Sequence, residues 1–213
     1  MKRTLLSCLI LLICLAVWAD ADKVQKQLES FEPANGKTQI ALANDLMKTF
    51  KEEEILDKTI QFSLETHPDT LRMQVWYWAA EYFYALQDYQ QSVAYGRHAL
   101  PLCKGTDMEA DCLSILSLAY FRMSDYKRAA YFAKECYKLD EATGDPDIMS
   151  SSLNTLAGIY IGANQPKEAE QYILKAIQLA QQVNNPARLA VINGMASEVY
   201  KNLHNDTLAL QYA

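Results

Sequence analysis

Three histidines, five cysteines and a run of three serines are the residues of this chain that could carry chemistry. A metal site would need imidazole, thiolate or carboxylate groups at a regular spacing. His67 and His204 lie in predicted turns, and His98 has no histidine or carboxylate one helical turn away. We therefore predict no metal site.

A nucleophilic site is not indicated either. The run Ser150-Ser151-Ser152 stands at the polar start of a predicted helix. The sequence contains no GxSxG, HExxH or CxxC motif and no glycine loop that could hold a phosphate. We predict that the chain is not an enzyme and uses no cofactor.

The cysteines allow one disulfide. Cys8 and Cys14 belong to an apolar N-terminal segment, which leaves Cys103, Cys112 and Cys136. The first of these three closes a predicted helix and the second opens the next one, so a disulfide between them is feasible, and two free thiols are the alternative. Cys136 takes a position that alanine fills in neighbouring units, which favours a buried thiol.

The N-terminus has the composition of an export signal. Two basic residues, 2–3, precede sixteen residues without charge, 4–19, and then Ala19-Asp20-Ala21 offers a small-x-small cleavage site. The apolar run is shorter than the ~20 residues that span a bilayer. We predict a signal peptide over residues 1–21 and an exported, periplasmic or extracytoplasmic protein; an uncleaved signal anchor is the alternative.

Composition predicts an all-α chain. Seven glycines and six prolines are few for 213 residues, and good helix formers are abundant. The formal charge of −6 comes without any dense run of Lys or Arg. Because nucleic-acid binding needs cations gathered on one face, we predict no nucleic-acid partner.

The sequence repeats itself with internal steps of 4, 3, 9 and 7 residues. A weaker copy precedes the three clear ones, and a partial copy follows them. The aligned positions are Ile40, Asn44, Met47, Leu56 and Ser63; Trp76, Ala80, Phe83, Ser92 and Ala99; Leu113, Ser117, Tyr120, Ala129 and Cys136; Leu153, Ala157, Tyr160, Ala169 and Ala176; and Asn193, Ser197, Tyr200 and Ala209.

Each copy predicts two helices joined by a short polar turn, which is too short for anything but an antiparallel hairpin. Residues 22–33 are predicted to form a lead-in helix, and the array follows over residues 34–213. About four and a half units result, with predicted limits 34–69, 70–106, 107–145, 146–185 and a truncated 186–213.

These residues resemble the tetratricopeptide repeat family, most closely at Leu156-Ala157, Tyr160, Ala169 and Ala176. The resemblance implies a right-handed superhelical array of antiparallel helix pairs. Gly96 and Ala133 depart from it, because they replace the family's aromatic residue in the second helix. The lengthened units look like the exported repeat or sensor region of bacterial signalling proteins.

By the same resemblance, positions 2, 5, 9, 12 and 13 of each first helix line a concave groove that binds a protein or peptide. Within this groove, an aromatic and apolar strip is formed by Tyr77, Tyr84, Leu118 and Phe121, and acidic residues flank it. The residues carried over are Gln74, Tyr77, Glu81, Tyr84, Asp111, Ser114, Leu118, Phe121, Arg122 and Asn154, together with Ser151 and Ile161. Coverage of this strip by the lead-in helix or by a further segment is an equal alternative.

The family's clamp for a terminal carboxylate is missing, because its Lys and Asn positions hold Ala41 and Asp45. Our leading hypothesis is therefore a non-enzymatic binding module outside the cytoplasm, the sensor part of a bacterial signalling or regulatory protein. An envelope assembly scaffold is the alternative. We expect the chain to continue past Ala213, and membrane contact only through an uncleaved signal or such a downstream segment.

Overall fold

The computed structural model describes residues 69–183 and 185–213. The predicted signal peptide (1–21), the lead-in helix (22–33) and all but the last residue of the first predicted unit (34–69) lie outside the described residues.

The described residues form α-helices joined by short connections, and they contain no strand, which confirms the all-α prediction. None of these helices has the length and hydropathy that crossing a bilayer requires. The helices are α1 (Asp69–Ala85), α2 (Tyr89–Cys103), α3 (Glu109–Arg122), α4 (Tyr126–Thr143), α5 (Pro146–Gly162), α6 (Pro166–Gln182), α7 (Pro186–Asn202) and α8 (Asp206–Gln211).

The helices pack in chain order as pairs. α1 packs on α2, α3 on α4, α5 on α6 and α7 on α8, and each second helix also packs on the first helix of the next pair. First helices of neighbouring pairs meet as well, at α1 with α3 and at α5 with α7. The pairs fall within the predicted units, except that α1 already begins at Asp69.

The turn inside each pair has one conformation throughout. The middle one of its three residues adopts a left-handed φ between 56° and 62°, although none of the four is glycine: Gln87, Ser124, Asn164 and His204. The next residue donates its N–H to a carbonyl five residues back, as Asp125 does to Tyr120 at 2.9 Å. This pattern satisfies the carbonyls that a helix end leaves free.

Side-chain caps start most of the helices. Asp88, Asp125, Asn185 and Asn205 each accept the N–H of the residue three positions on, at 3.1 to 3.2 Å. Before α6 the cap position holds Gln165, whose side chain makes no such bond. The chain thus begins these helices with the residue types that best satisfy free N–H groups.

A stacked pair of aromatic rings joins the two helices of every described unit. The two partners are twelve residues apart, and their centroids lie 5.2 to 5.6 Å apart with planes within 20° of parallel. The pairs are Phe83 with Tyr95, Tyr120 with Phe132, Tyr160 with Tyr172 and Tyr200 with Tyr212. The aromatic residue of the second helix is therefore present, one position before Gly96 and Ala133.

Gly96 itself allows α2 and α3 to approach closely. A Cβ built on it would lie 2.8 Å from Leu116 Cδ2, closer than any ordinary contact. Leu116 is fully buried and belongs to the core that α3 shares with α4 and α5. The side chain of the next unit thus fills the space that an aromatic residue at position 96 would need.

A serine hydroxyl bridges the paired helices in three of the four units. Ser92 donates to the Ala80 carbonyl at 2.8 Å and Ser117 donates to the Ala129 carbonyl at 3.0 Å. Ser197 makes the same bond from α7 to α8 at 2.8 Å. Because both partners are buried, these bonds satisfy polar groups inside the core as well as fixing the helix separation.

Candidate binding groove

The predicted groove residues all lie on the first helices α1, α3 and α5, and none is fully buried. Glu81, Asp111 and Arg122 are exposed, and the other nine are partly exposed: Gln74, Tyr77, Tyr84, Ser114, Leu118, Phe121, Ser151, Asn154 and Ile161. Position in the fold is thus compatible with contact to a partner. Their role in binding stays a prediction.

Tyr77 is held by an acid one helical turn further along α1. Its hydroxyl donates to Glu81 Oε1 at 2.8 Å. Burial, and then this bond, raise the pKa of Tyr77 well above its ordinary value, and Asp111 on α3 adds to the effect. Tyr77 is therefore a neutral phenol at physiological pH, with its ring available for apolar contact.

Tyr84 links α1 to α3. Its hydroxyl accepts a hydrogen bond from Arg122 Nε at 3.2 Å. Tyr84 and Phe121 also pack against the same buried cluster. The structure therefore brings these three predicted residues together across two units, and the Arg122 side chain is directed toward Tyr84.

Phe121 is fixed from the side of the next unit. It meets Tyr126 edge to face, with ring centroids 5.8 Å apart. A Cβ built on Gly162 at the end of α5 would lie 3.0 Å from Phe121 and 2.6 Å from Tyr126. Glycine at position 162 therefore leaves just enough room for both rings.

The α5 end of the predicted groove is arranged differently. Ser151 accepts a hydrogen bond from Arg188 of α7 at 3.1 Å, and the same guanidinium grips both oxygens of Asp147 at 3.1 Å. Asn154 shares none of these contacts, and its buried Oδ1 has no hydrogen-bond partner within the described residues. The structure does not join Asn154 to the aromatic strip on α1 and α3.

The histidine and serine candidates for chemistry make contacts that stabilise the fold. His98 is exposed and stacks on Trp76, with ring centroids 5.1 Å apart. Ser150 is buried and donates to the carbonyl of Asp147 at 2.8 Å. Within residues 69–183 and 185–213, no three His, Cys, Asp or Glu side chains are grouped as a metal ion would require.

Cys103 and Cys112 are neighbours in the core, and both are free thiols with no exposed surface. Burial raises the pKa of each thiol, and each thiol also acts on the pKa of the other. Their side chains are thus close, as the sequence suggested, while the disulfide itself stays a prediction.

Sequence reasoning missed a polar network beside the groove. Asp140, near the end of α4, is only 5% exposed and accepts a hydrogen bond from Ser152 of α5. Cys136 also lies against this carboxylate, with Sγ 3.7 Å from Oδ2. Burial, and then Asp140, raise the pKa of the Cys136 thiol to about 12. The buried thiol that we predicted at this position therefore lies against a buried carboxyl group.

Comparison in sequence identifies one unit. Residues 150–187 match the tetratricopeptide repeat family. No characterised protein matches the chain in sequence.

Several solved structures share this fold. BtubC (BKLC) from P. vanneervenii is 13% identical, with a TM-score of 0.68 over 92% of this chain and 88% of that one. A STAND protein with a tetratricopeptide repeat sensor from Pyrococcus horikoshii is 18% identical, with a TM-score of 0.65 over 87% and 31%. A Rap protein complexed with Competence and Sporulation Factor is 14% identical, with a TM-score of 0.60 over 92% and 63%.

At these identities the similarity is one of fold. It agrees with the helix pairs described above, and the sequence match over 150–187 falls on the pair α5–α6. The described residues have the tetratricopeptide repeat fold, a solenoid of antiparallel helix pairs.

Proposed function

We propose that this chain is a non-enzymatic module that binds a protein or peptide segment on the face formed by α1, α3 and α5. One observation carries the proposal: Tyr84, Phe121 and Arg122 meet across two units, so that a partly exposed aromatic surface is held rigid by its own contacts. Rigid aromatic side chains bind partners at a low entropic cost.

The charge of this face indicates the kind of partner. Glu81 and Asp111 are exposed beside the aromatic strip, and Arg122 is the one predicted groove residue that is cationic. Like charges across an interface oppose binding, so an acidic segment or a free C-terminal carboxylate is disfavoured. A neutral or basic segment with apolar side chains suits the face best.

The proposed setting is outside the cytoplasm, where the chain acts as the sensor part of a bacterial signalling or regulatory protein. Two features support this. Residues 1–21 have the composition of a signal peptide, and one of the structurally similar proteins carries its repeats as a sensor. The similar Rap structure holds a bound factor, which is consistent with recognition of a peptide or protein by such a fold.

A selection from a displayed random-peptide library tests the binding face. Binders would be measured by titration against the whole chain and against Tyr77→Ala and Phe121→Ala. We expect each substitution to weaken binding by about tenfold or more, since buried aromatic anchors carry ~1.4 kcal/mol or more. Unchanged affinity in both variants would refute the assignment of this face.

Tyr131→Ala is the matched control. Tyr131 is an aromatic residue on α4 with 59% of its surface exposed, and it lies outside the proposed face. Binding should be unchanged in this variant. Because Phe121 also packs near Gly162, the fold of every variant should be checked by circular dichroism. Glu81→Lys is a further variant, which changes the charge of the face at an exposed position and leaves the core intact.

The proposed export from the cytoplasm is tested separately. Mass spectrometry of the N-terminus after expression in a bacterium should show cleavage after Ala21, and the protein should be recovered outside the cytoplasm. An intact N-terminus in a cytoplasmic fraction would contradict the export proposal and leave the binding face unaffected.

A further inference from the structure

A small polar cavity lies between α3, α4 and α5, where two neighbouring units meet. Its volume is about 20 Å³, which holds one water-sized group, since one water needs roughly 10–15 Å³. The lining is almost entirely hydroxyl or thiol: Ser114, Ser117, Ala133, Cys136, Ser152 and Thr155.

Three of the four hydroxyls that line this cavity have already donated their protons. Ser117 donates to a backbone carbonyl of α4 at 3.0 Å, and Thr155 donates to a carbonyl one turn earlier in α5 at 3.1 Å. Ser152 donates to the carboxylate of Asp140. A hydroxyl has one proton, so these three oxygens can offer only lone pairs to anything in the cavity. The cavity therefore favours a hydrogen-bond donor.

Negative charge lies directly behind these acceptors. Asp140 is 95% buried, and none of the ion pairs among the described residues includes it. Asp111 stands close enough that burial, Asp107 and then Asp140 raise the pKa of its carboxyl. Burying a carboxylate costs desolvation, which the hydrogen bonds from Ser152 and Cys136 offset in part and an incoming positive charge would offset further.

The cavity opens on the face of the first helices. Ser114, Ser152 and Thr155 are partly exposed, whereas Ser117 and Cys136 are buried, so the opening lies between α3 and α5. Contact between these two helices is slighter than that of α1 with α3 or of α5 with α7. Ser114 both lines the cavity and belongs to the predicted groove.

We propose that this cavity receives the ammonium group of a lysine side chain belonging to the segment bound in the groove. The inference rests on the proposed function. An ammonium group is the size of the cavity, carries three donors and no acceptor, and has an alkyl stem that can pass between α3 and α5. A guanidinium is larger and planar, and a carboxylate would face three oxygens that can only accept, with the negative charge of Asp140 behind them.

The probe for this test is N-acetyl-lysine methylamide, with N-acetyl-norleucine methylamide as the uncharged match. Each is titrated into the isotope-labelled whole chain and followed by amide NMR. The lysine compound should shift the signals of Ser114, Ser117, Cys136 and Ser152, and the norleucine compound should leave them unchanged. Equal shifts with both compounds, or none with either, would overturn the proposal.

Three variants test whether the lysine compound binds in this cavity. Asp140→Asn keeps the size of the side chain and removes the charge, and it should weaken lysine-amide binding about tenfold or more. Ser114→Leu fills the opening from a partly exposed position and should abolish the shifts without affecting the fold. Asp107→Asn removes a nearby exposed charge that does not line the cavity, and its effect should stay within about twofold. Equal loss in Asp107→Asn and Asp140→Asn would show general attraction and overturn the proposal.

The outcomes separate this proposal from the proposed function. Selected peptides that depend on Tyr77 and Phe121, yet bind equally well when their lysines are replaced by norleucine, would leave the groove in place and remove the lysine site. Lysine-amide binding in the cavity, without any peptide that depends on Tyr77, would retain the site and remove the groove.

Discussion

Tyr120 stacks on Phe132 across the α3–α4 turn, with ring centroids 5.6 Å apart and ring planes 2° from parallel. The neighbouring Tyr131, by contrast, is 59% exposed and meets Phe132 only edge to face. Two adjacent aromatic residues on one helix therefore have different roles, since one joins the helix pair and the other faces solvent.

The stack should contribute measurably to stability. Phe132→Leu removes the ring contact with Tyr120 while keeping an apolar side chain, and we expect a loss of about 1–2 kcal/mol in the free energy of unfolding. Tyr131→Leu should change it by less than about 0.5 kcal/mol. Urea unfolding of both variants checks this, and equal losses would contradict the assignment of Phe132 as the structural partner.

Two helical glycines should respond in opposite directions to alanine. Alanine is the better helix former by about 1 kcal/mol, so Gly194→Ala should stabilise the chain, because nothing lies within 4 Å of the added Cβ. Gly96→Ala should destabilise it by about 1–3 kcal/mol, because the new methyl group would overlap with Leu116. Thermal unfolding of the two variants side by side measures the difference, and a gain in both would refute the close contact.

The start of α6 can be improved. Gln165 occupies the cap position before Pro166 without making a cap bond, whereas Asn185 before Pro186 accepts the N–H of Arg188 at 3.1 Å. Gln165→Asn should therefore raise stability by up to about 1 kcal/mol, and Asn185→Gln should lower it by a similar amount. Chemical unfolding measures the change in stability of each variant. If the two substitutions change the stability in the same direction, helix capping is not the cause.

The contact between α5 and α7 should make stability depend on pH in the acid range. Hydrogen bonding to Arg188 lowers the pKa of Asp147 below its ordinary value. A carboxyl group with a lowered folded-state pKa contributes stability above its unfolded pKa, about 3.9, and loses that contribution as the pH falls through the folded value.

Asp147→Asn should therefore lower stability at pH 6 and have a smaller effect at pH 2. Urea unfolding at both values, with Asp145→Asn as a control for the adjacent exposed acid, measures the contribution. A loss that is the same at the two pH values would mean that the charge of Asp147 is not involved.

Oxidation should be confined to one pair of cysteines. If the chain forms its disulfide in an oxidising compartment, intact mass without reductant will be two hydrogens lower, and peptide mapping will place the bond between Cys103 and Cys112. Cys136 lies against Asp140 and should remain a thiol. If the mass does not change with reductant, the disulfide is not formed.

The helix pairs could be derived from the sequence, because steps of 4, 3, 9 and 7 residues recur and polar turns separate the halves. The aromatic residue of the second helix was misjudged at Gly96 and Ala133, since the family pattern places it one position later than this chain does. The twelve-residue spacing from Phe83 and Tyr120 would have located it, because that spacing reaches Tyr95 and Phe132.

The cavity could not be derived in the same way. Asp140 and Ser152 lie on different helices, and their contact depends on how two units pack, which no local pattern reports. The groove residues of α1 and α3 were assigned by analogy with the family. The hydrogen bond between Tyr84 and Arg122 could not be predicted from the sequence. Local periodicity thus predicts elements better than contacts between units.

Ring stacks and serine bridges that span only twelve residues have a consequence for how the chain folds. Contacts this local require little loop closure, so a helix pair can form early and rapidly, and any unit can serve as the nucleus for its neighbours. Helix pairs should then unfold stepwise and not all at once. Amide hydrogen exchange should consequently differ in rate from one helix pair to the next.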